Sequence, residues 1–198
     1  QAAFTLDSLI LSGGTLNLDT LDGGTTFTIA AGGSFNWNGS SSINGRSGIT
    51  GDTFLISSTA AANLNNAGQT FTLSEITIDN QGSWTVNSAV NNPLRLNNNT
   101  IFDNNGTFTL SSTAGLTTSS LSGTFNNNSG AVFIVDSGAA TSITNIGFHN
   151  TDASIDIQGA ATLQLNAGGS LSGVTTLITN PLNFNAGTFT INTGATLA

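Results

Sequence analysis

Apolar and polar residues alternate in short bursts along the whole chain. One burst reads "FTIAAGGSF" from Phe27: apolar, Thr, apolar, then small residues, then another apolar position. The phrase returns as "FLISSTAAANL" from Phe54, "WTVNSAVNNPL" from Trp84, "FTLSSTAGL" from Phe108 and "FIVDSGAATSI" from Phe133. It returns again as "IDIQGAATL" from Ile155 and "FTINTGATL" from Phe189. Alternation with period two is the signature of a strand with one buried face. Thr, Val, Ile and Phe also favour strands. No helical period of 3.6 is sustained anywhere. Clusters such as "DGG", "NGS", "DNQG", "DNNG" and "NNNSG" separate the bursts, and Gly and Asn tolerate the left-handed backbone of tight turns. The pattern predicts an all-β protein.

The bursts repeat. Their second apolar positions are Ile29, Ile56, Val86, Leu110, Val135, Ile157 and Ile191, at intervals of 27, 30, 24, 25, 22 and 34 residues. The best-matched copies are "TIDNQGSWTV" from Thr77 and "IFDNNGTFTL" from Ile101, 24 positions apart. A sandwich or barrel gives no reason for one phrase to recur in register. A coil of three short strands and three turns does, because equivalent positions then stack about 4.8 Å apart. The sequence therefore predicts a single parallel β-helix, or β-solenoid, over residues 1–198. It would have about seven to eight coils with a loose period near 25 residues, and no obvious capping coils. On this reading Phe27, Phe54, Trp84, Phe108, Phe133, Ile155 and Phe189 form one internal column. Asn80 and Asn104 stack at one corner and hydrogen-bond to each other. Gly82 and Gly106 let the backbone turn. Trp37 shares a strand face with Phe35, which makes it core rather than an exposed sugar platform.

Composition narrows the function. Only 6% of the residues are charged, against roughly 25% in an average protein. Lys is absent, the only cations are Arg46 and Arg95, and the net charge is −8. That balance argues against nucleic acid, anionic polysaccharide and anionic membrane surfaces as partners. No apolar run approaches the ~18 residues that a membrane-spanning helix needs, so membrane insertion is not expected. Asn, Ser, Thr and Gly make up about half the chain and replace the missing charge. A chain without Cys has no disulfide and no thiol chemistry. Lacking Met and Lys as well, it offers little to oxidants or trypsin, which suits an extracellular setting.

Reactive groups are few. His149, in "GFHNTD", is the only histidine and aligns with the Asn corner of earlier copies, so a turn or surface role is expected. Asp79 and Asp103 occupy matched positions one coil apart. Stacked carboxylates can bind calcium or act as acid and base, but turn residues capping backbone amides are the simpler expectation. Asp152 and Asp156 should point outward. Neither the Gly-rich calcium nonapeptide nor the EF-hand spacing is present. Arg46 and Arg95 lie too far apart in sequence to suggest a site for an acidic sugar. No enzyme activity, metal or cofactor is expected. Asn-Xaa-Ser/Thr sequons at Asn38, Asn98, Asn105 and Asn127 arise readily by chance in such a composition. Four Thr pairs flank apolar residues and should point outward: Thr26 and Thr28, Thr70 and Thr72, Thr107 and Thr109, Thr188 and Thr190. Stacked on one flat face they would make an ice-binding or glycan-binding array, although Leu55, Ile134 and Asp156 break the series.

Phrases such as "GTLNL", "GTFTL", "GTFTI" and "ATLQL" resemble the β-strand repeats of secreted bacterial adhesins, the filamentous-haemagglutinin-like exoproteins and autotransporter passenger domains. The resemblance covers most of the chain. It implies a right-handed parallel β-helix, secretion and a cell-surface role in a bacterium or archaeon. Neither end reads like a cap: the first strand-like stretch starts at once, and the last phrase stops partway through a coil. Exposed β edges invite pairing. Phe4, Leu6, Leu9 and Leu11 at one end, and Phe189, Ile191 and Leu197 at the other, are the candidate assembly residues. The expected role is structural, a subunit of a head-to-tail surface filament or a stalk segment of an adhesin. The ends could equally be interruptions in a longer repeat. A host or surface glycan or protein is a possible further partner.

Overall fold

The computed structural model describes residues 2–18, 24–46, 51–65, 69–87, 94–111, 115–119, 123–136, 142–178 and 180–197. Among these there are only strands and turns, and every strand pairing is parallel. The chain winds as a β-solenoid with three sheet faces.

The first face is built from β1 (Ala2–Leu11), β3 (Thr25–Trp37), β5 (Thr53–Ile56), β8 (Thr77–Asn80) and β11 (Ile101–Asn104). It continues with β14 (Thr124–Asn127), β17 (Gly147–Thr151), β20 (Gly169–Ser172) and β23 (Phe189–Ile191). The second face carries the later halves of β1 and β3, then β6 (Ala61–Asn65), β9 (Ser83–Asn87), β12 (Thr107–Ser111) and β15 (Val132–Val135). After these come β18 (Ser154–Ile157), β21 (Val174–Ile178) and β24 (Thr196–Leu197). The third face comprises β2 (Gly14–Asn17), β4 (Ser41–Asn44), β7 (Phe71–Ser74), β10 (Leu94–Asn97), β13 (Leu116–Thr117), β16 (Ser142–Thr144), β19 (Leu163–Leu165) and β22 (Leu182–Phe184). Because β1 and β3 run unbroken through the corner, the first two faces form one 16-stranded sheet beside the eight-stranded third face. Eight strands on the third face agree with the seven to eight coils expected.

Alternation decides which side chains enter the core. In β9 Trp84 and Val86 are buried while Ser83 and Thr85 look outward, and β12 repeats this with Phe108 and Leu110. Each fully buried Phe or Leu contributes roughly 1.5–3 kcal/mol. The aromatic residues also stack along the axis: Phe102, Phe125 and Phe148 lie in parallel pairs with centroids 5.0 and 5.7 Å apart. Trp37 and Phe35 are core residues, as their shared strand face predicts. The Trp37 indole Nε1 donates to Ser41 Oγ.

The single aromatic column does not exist. The recurring phrase occupies two faces. Phe27, Phe54 and Phe189 belong to the first face, in register with Phe4, Ile78, Phe102, Phe125 and Phe148. Trp84, Phe108, Phe133 and Ile155 belong to the second, continuing Leu9, Phe35 and Ala62. The 34-residue interval from Ile157 to Ile191 runs from the second face to the first and passes the coil of β20 on the way. Corner length varies because two residues, Gln81 and Gly82, join β8 to β9, whereas four, Ser57 to Ala60, join β5 to β6.

Gly82 and Gly106 also serve differently from expectation. Neither has a positive φ. A Cβ on Gly82 would lie 2.3 Å from the Ala60 carbonyl oxygen, and one on Gly106 would lie 2.2 Å from that of Gly82. They are glycines because adjacent coils approach there. At this corner other coils take the left-handed conformation at Thr59 and Gly130, with φ of 65° and 80°, and the corner from third to first face takes it at Asn98 and Asn99, with φ of 50° and 62°.

Candidate assembly and binding surfaces

The Asn corner forms as the repeat predicts, and it extends further. Asn80 Nδ2 donates to Asn104 Oδ1 at 2.8 Å, Asn104 to Asn127 at 2.8 Å, and Asn127 to Asn150 at 2.7 Å. All four are buried. The same Nδ2 groups of Asn80, Asn104 and Asn127 also donate to the main-chain carbonyls of Thr107, Val132 and Ser154. The ladder therefore ties each first-face strand to the second-face strand of the next coil. Its position is held by Ile29 and Ile56 before Asn80 and by Leu171 after Asn150. Asn127 of the sequon "NNS" is thus a core residue, whereas Asn105 lies exposed beside it.

At one end of the solenoid, β1 pairs with β3 on one side only. Phe4 and Leu6, in register with Phe27 and Ile29, occupy inward positions but are 50% and 40% exposed. Leu9 and Leu11, in register with Phe35 and Trp37, pack partly against the core. At the other end Phe189 packs against Phe184 with centroids 4.7 Å apart, and Ile191, in register with Leu171, is 61% exposed. The main chain of Leu197 pairs opposite Thr175, and its side chain lies outside the described residues. Phe4, Leu6 and Ile191 are exposed because only one strand covers each of them.

The shared Thr face expected from the sequence does not form. The four pairs look outward but are not brought together. Thr26 and Thr28 sit on the first face near one end, while Thr188 and Thr190 sit on or beside the same face at the other end. Thr70 and Thr72 sit at the third face. Thr107 and Thr109 stand on the second face, apart from all the other pairs. Thr109 is half-buried there between Thr85 and Ile134, so only one of its two neighbours extends a Thr row. Beside Thr28 the next coils place Leu55, Asp79, Asp103, Asn126 and His149. The pairs look alike because alternation turns each one outward, but they lie on or beside strands of different faces.

Asp79 and Asp103 do stack in register, but at outward strand positions rather than in turns. Side-chain amides, not backbone amides, meet them. Asp79 accepts from Gln81 Nε2 and Asn105 Nδ2, both at 2.8 Å, and Asp103 accepts from Asn126 Nδ2 at 2.8 Å. The backbone-capping carboxylates are others. Asp52, buried at a corner, accepts from the main-chain N–H of Thr25 and of Arg46, each at 2.7 Å. Asp152 accepts from Val174 N at 2.9 Å. Asp156 looks outward and accepts from Gln158 at 2.7 Å.

His149 lies on β17, opposite Asn126 and one position before the buried Asn ladder, with Nδ1 2.8 Å from Ser170 Oγ. Among the described residues no group of three or more His, Cys, Asp or Glu side chains is placed to hold a metal ion. Among them, too, no helix is long and apolar enough to cross a membrane.

Comparison with known proteins finds no matching family model, no matching curated protein and no matching solved structure.

Proposed function

We propose that this chain is a non-enzymatic structural protein of the cell exterior, a subunit of a surface filament or a stalk segment of an adhesin. Its coils stack end to end through parallel strand pairing. The observation that carries the reading is the match between the two end strands. Phe4-Thr5-Leu6 on β1 and Phe189-Thr190-Ile191 on β23 share one in–out–in pattern on one face. Placing β1 of one copy on β23 of the next sets Phe on Phe and Leu on Ile, covering Phe4, Leu6 and Ile191, which are exposed, and the half-buried Phe189. Such a head-to-tail contact does not close, so it propagates as a fibre. The same pairing would join a further coil of one longer chain in a stalk. The scarcity of charge and the lack of Cys, Met and Lys support an extracellular setting.

Negative-stain electron microscopy at rising protein concentration tests the reading. Long unbranched fibres are expected from the unaltered chain, and short rods from Leu6→Lys, which puts a charge into the joint. Discrete short rods from the unaltered chain at every concentration refute the filament.

A further inference from the structure

We propose that two copies of this chain also meet side by side and level, the first face of one against the third face of the other, with Arg95 of the second copy between Asp79 and Asp103 of the first. The charges are unevenly placed. Asp79 and Asp103 look outward from the first face on neighbouring coils. Arg95 looks outward from β10 on the third face, between buried Leu94 and Leu96. No acidic residue stands at any described position of the eight third-face strands. Among the described residues no hydrogen bond or ion pair engages Arg95, and no cation meets either carboxylate.

Height along the axis makes the match specific. The chain climbs one strand spacing, about 4.8 Å, per coil. Arg95 lies on the chain after Asp79 and before Asp103, so its height falls between theirs. Two parallel copies set level therefore bring the cation to the gap between the two carboxylates. Amide contacts from Gln81, Asn105 and Asn126 hold those carboxylates in place. Around them the first face offers Thr77, Thr124, Leu55 and Ile101, the last 40% exposed. Arg95 is flanked in register by Thr72 and Thr117. An exposed ion pair adds little affinity. It fixes register and excludes other alignments, while the flat Thr and aliphatic surfaces supply the contact.

Charge exchange tests this. At low ionic strength the unaltered chain is expected to form side-by-side rods, read by sedimentation velocity and electron microscopy. Arg95→Glu, and the milder Arg95→Gln, should lose them. Asp79→Arg/Asp103→Arg should lose them too, although its net charge falls from −8 to about −4. General repulsion predicts the opposite for that variant. Mixing it with Arg95→Glu should restore the side-by-side species. The proposal is overturned if the unaltered chain never associates laterally, if Arg95→Glu associates like it, or if the double variant associates more strongly. Short rods lying side by side would keep this inference and remove the fibre reading, whereas single long fibres would do the reverse.

Discussion

Replacing Asn104 by Leu interrupts the buried amide ladder at an interior position. The side chain makes three hydrogen bonds: it accepts from Asn80, and donates to Asn127 and to the Val132 carbonyl. Leu is close in size, and the column already accepts Ile56 and Leu171, so shape is not the problem. The cost is polar. Asn127 Oδ1 is left buried without a donor, which costs about 1–3 kcal/mol. The other two lost bonds add about 1 kcal/mol each, and burying Leu returns part of this. The net expectation is a loss of about 2–3 kcal/mol. Asn80→Leu is the internal comparison. Asn80 Oδ1 is already buried without a partner among the described residues. That substitution orphans Asn104 Oδ1 but removes the existing orphan, so it should cost about 0–1 kcal/mol. Urea unfolding of both variants gives the difference, about 2 kcal/mol. Replacing Asn80, Asn104, Asn127 and Asn150 together should cost well below the sum of the single changes, because donors and acceptors leave as pairs. Equal damage from Asn80→Leu and Asn104→Leu, or four effects that simply add, would show that the buried amides are not coupled as a ladder.

Other substitutions separate the remaining sources of stability. Asp52→Ala strips acceptors from the Thr25 and Arg46 amides and should cost about 2–4 kcal/mol in urea unfolding; Asp52→Asn, which keeps one carbonyl oxygen, should cost less. Gly169→Ala would set a Cβ 1.7 Å from the Phe148 carbonyl oxygen, so a loss of about 3 kcal/mol or more is expected. Gly130→Ala, at φ 80° with open space around it, should cost only about 1 kcal/mol, and melting temperatures will rank the pair. Phe108→Ala removes a ring packed 4.9–5.5 Å from Phe102, Phe125 and Phe133, for which about 3–5 kcal/mol is expected, with amide exchange rising first in β9, β12 and β15.

Local chemistry made much of this legible in the sequence. Alternation in "SWTV" and "TFTL" sends Trp84, Val86, Phe108 and Leu110 inward without reference to the rest of the chain. The copies around Asn80 and Asn104 are 24 residues apart, and that distance already implies adjacent coils and stacked amides.

Alternation says only whether a side chain points in or out; it does not say through which of three faces. Thr28, Thr72 and Thr109 look alike in sequence, yet stand on three different faces. Phe54 and Trp84 open the same phrase on two different ones. Strands take the three faces in turn whether a corner spends two residues, as at Gln81–Gly82, or four, as at Ser57–Ala60, so the spacing between copies of the phrase does not report the face. Face is settled only when a strand pairs with another some twenty-odd residues away, as when Phe108 lines up with Trp84 and Phe133. Strand, coil and the stacking of Asn80 on Asn104 could thus be read from the chain alone, because they rest on interactions within a burst or between its closest copies, whereas the burial of that ladder could not. Which outward residues share a surface, from the scattered Thr pairs to the opposed Arg95 and Asp79/Asp103, was decided by tertiary register alone.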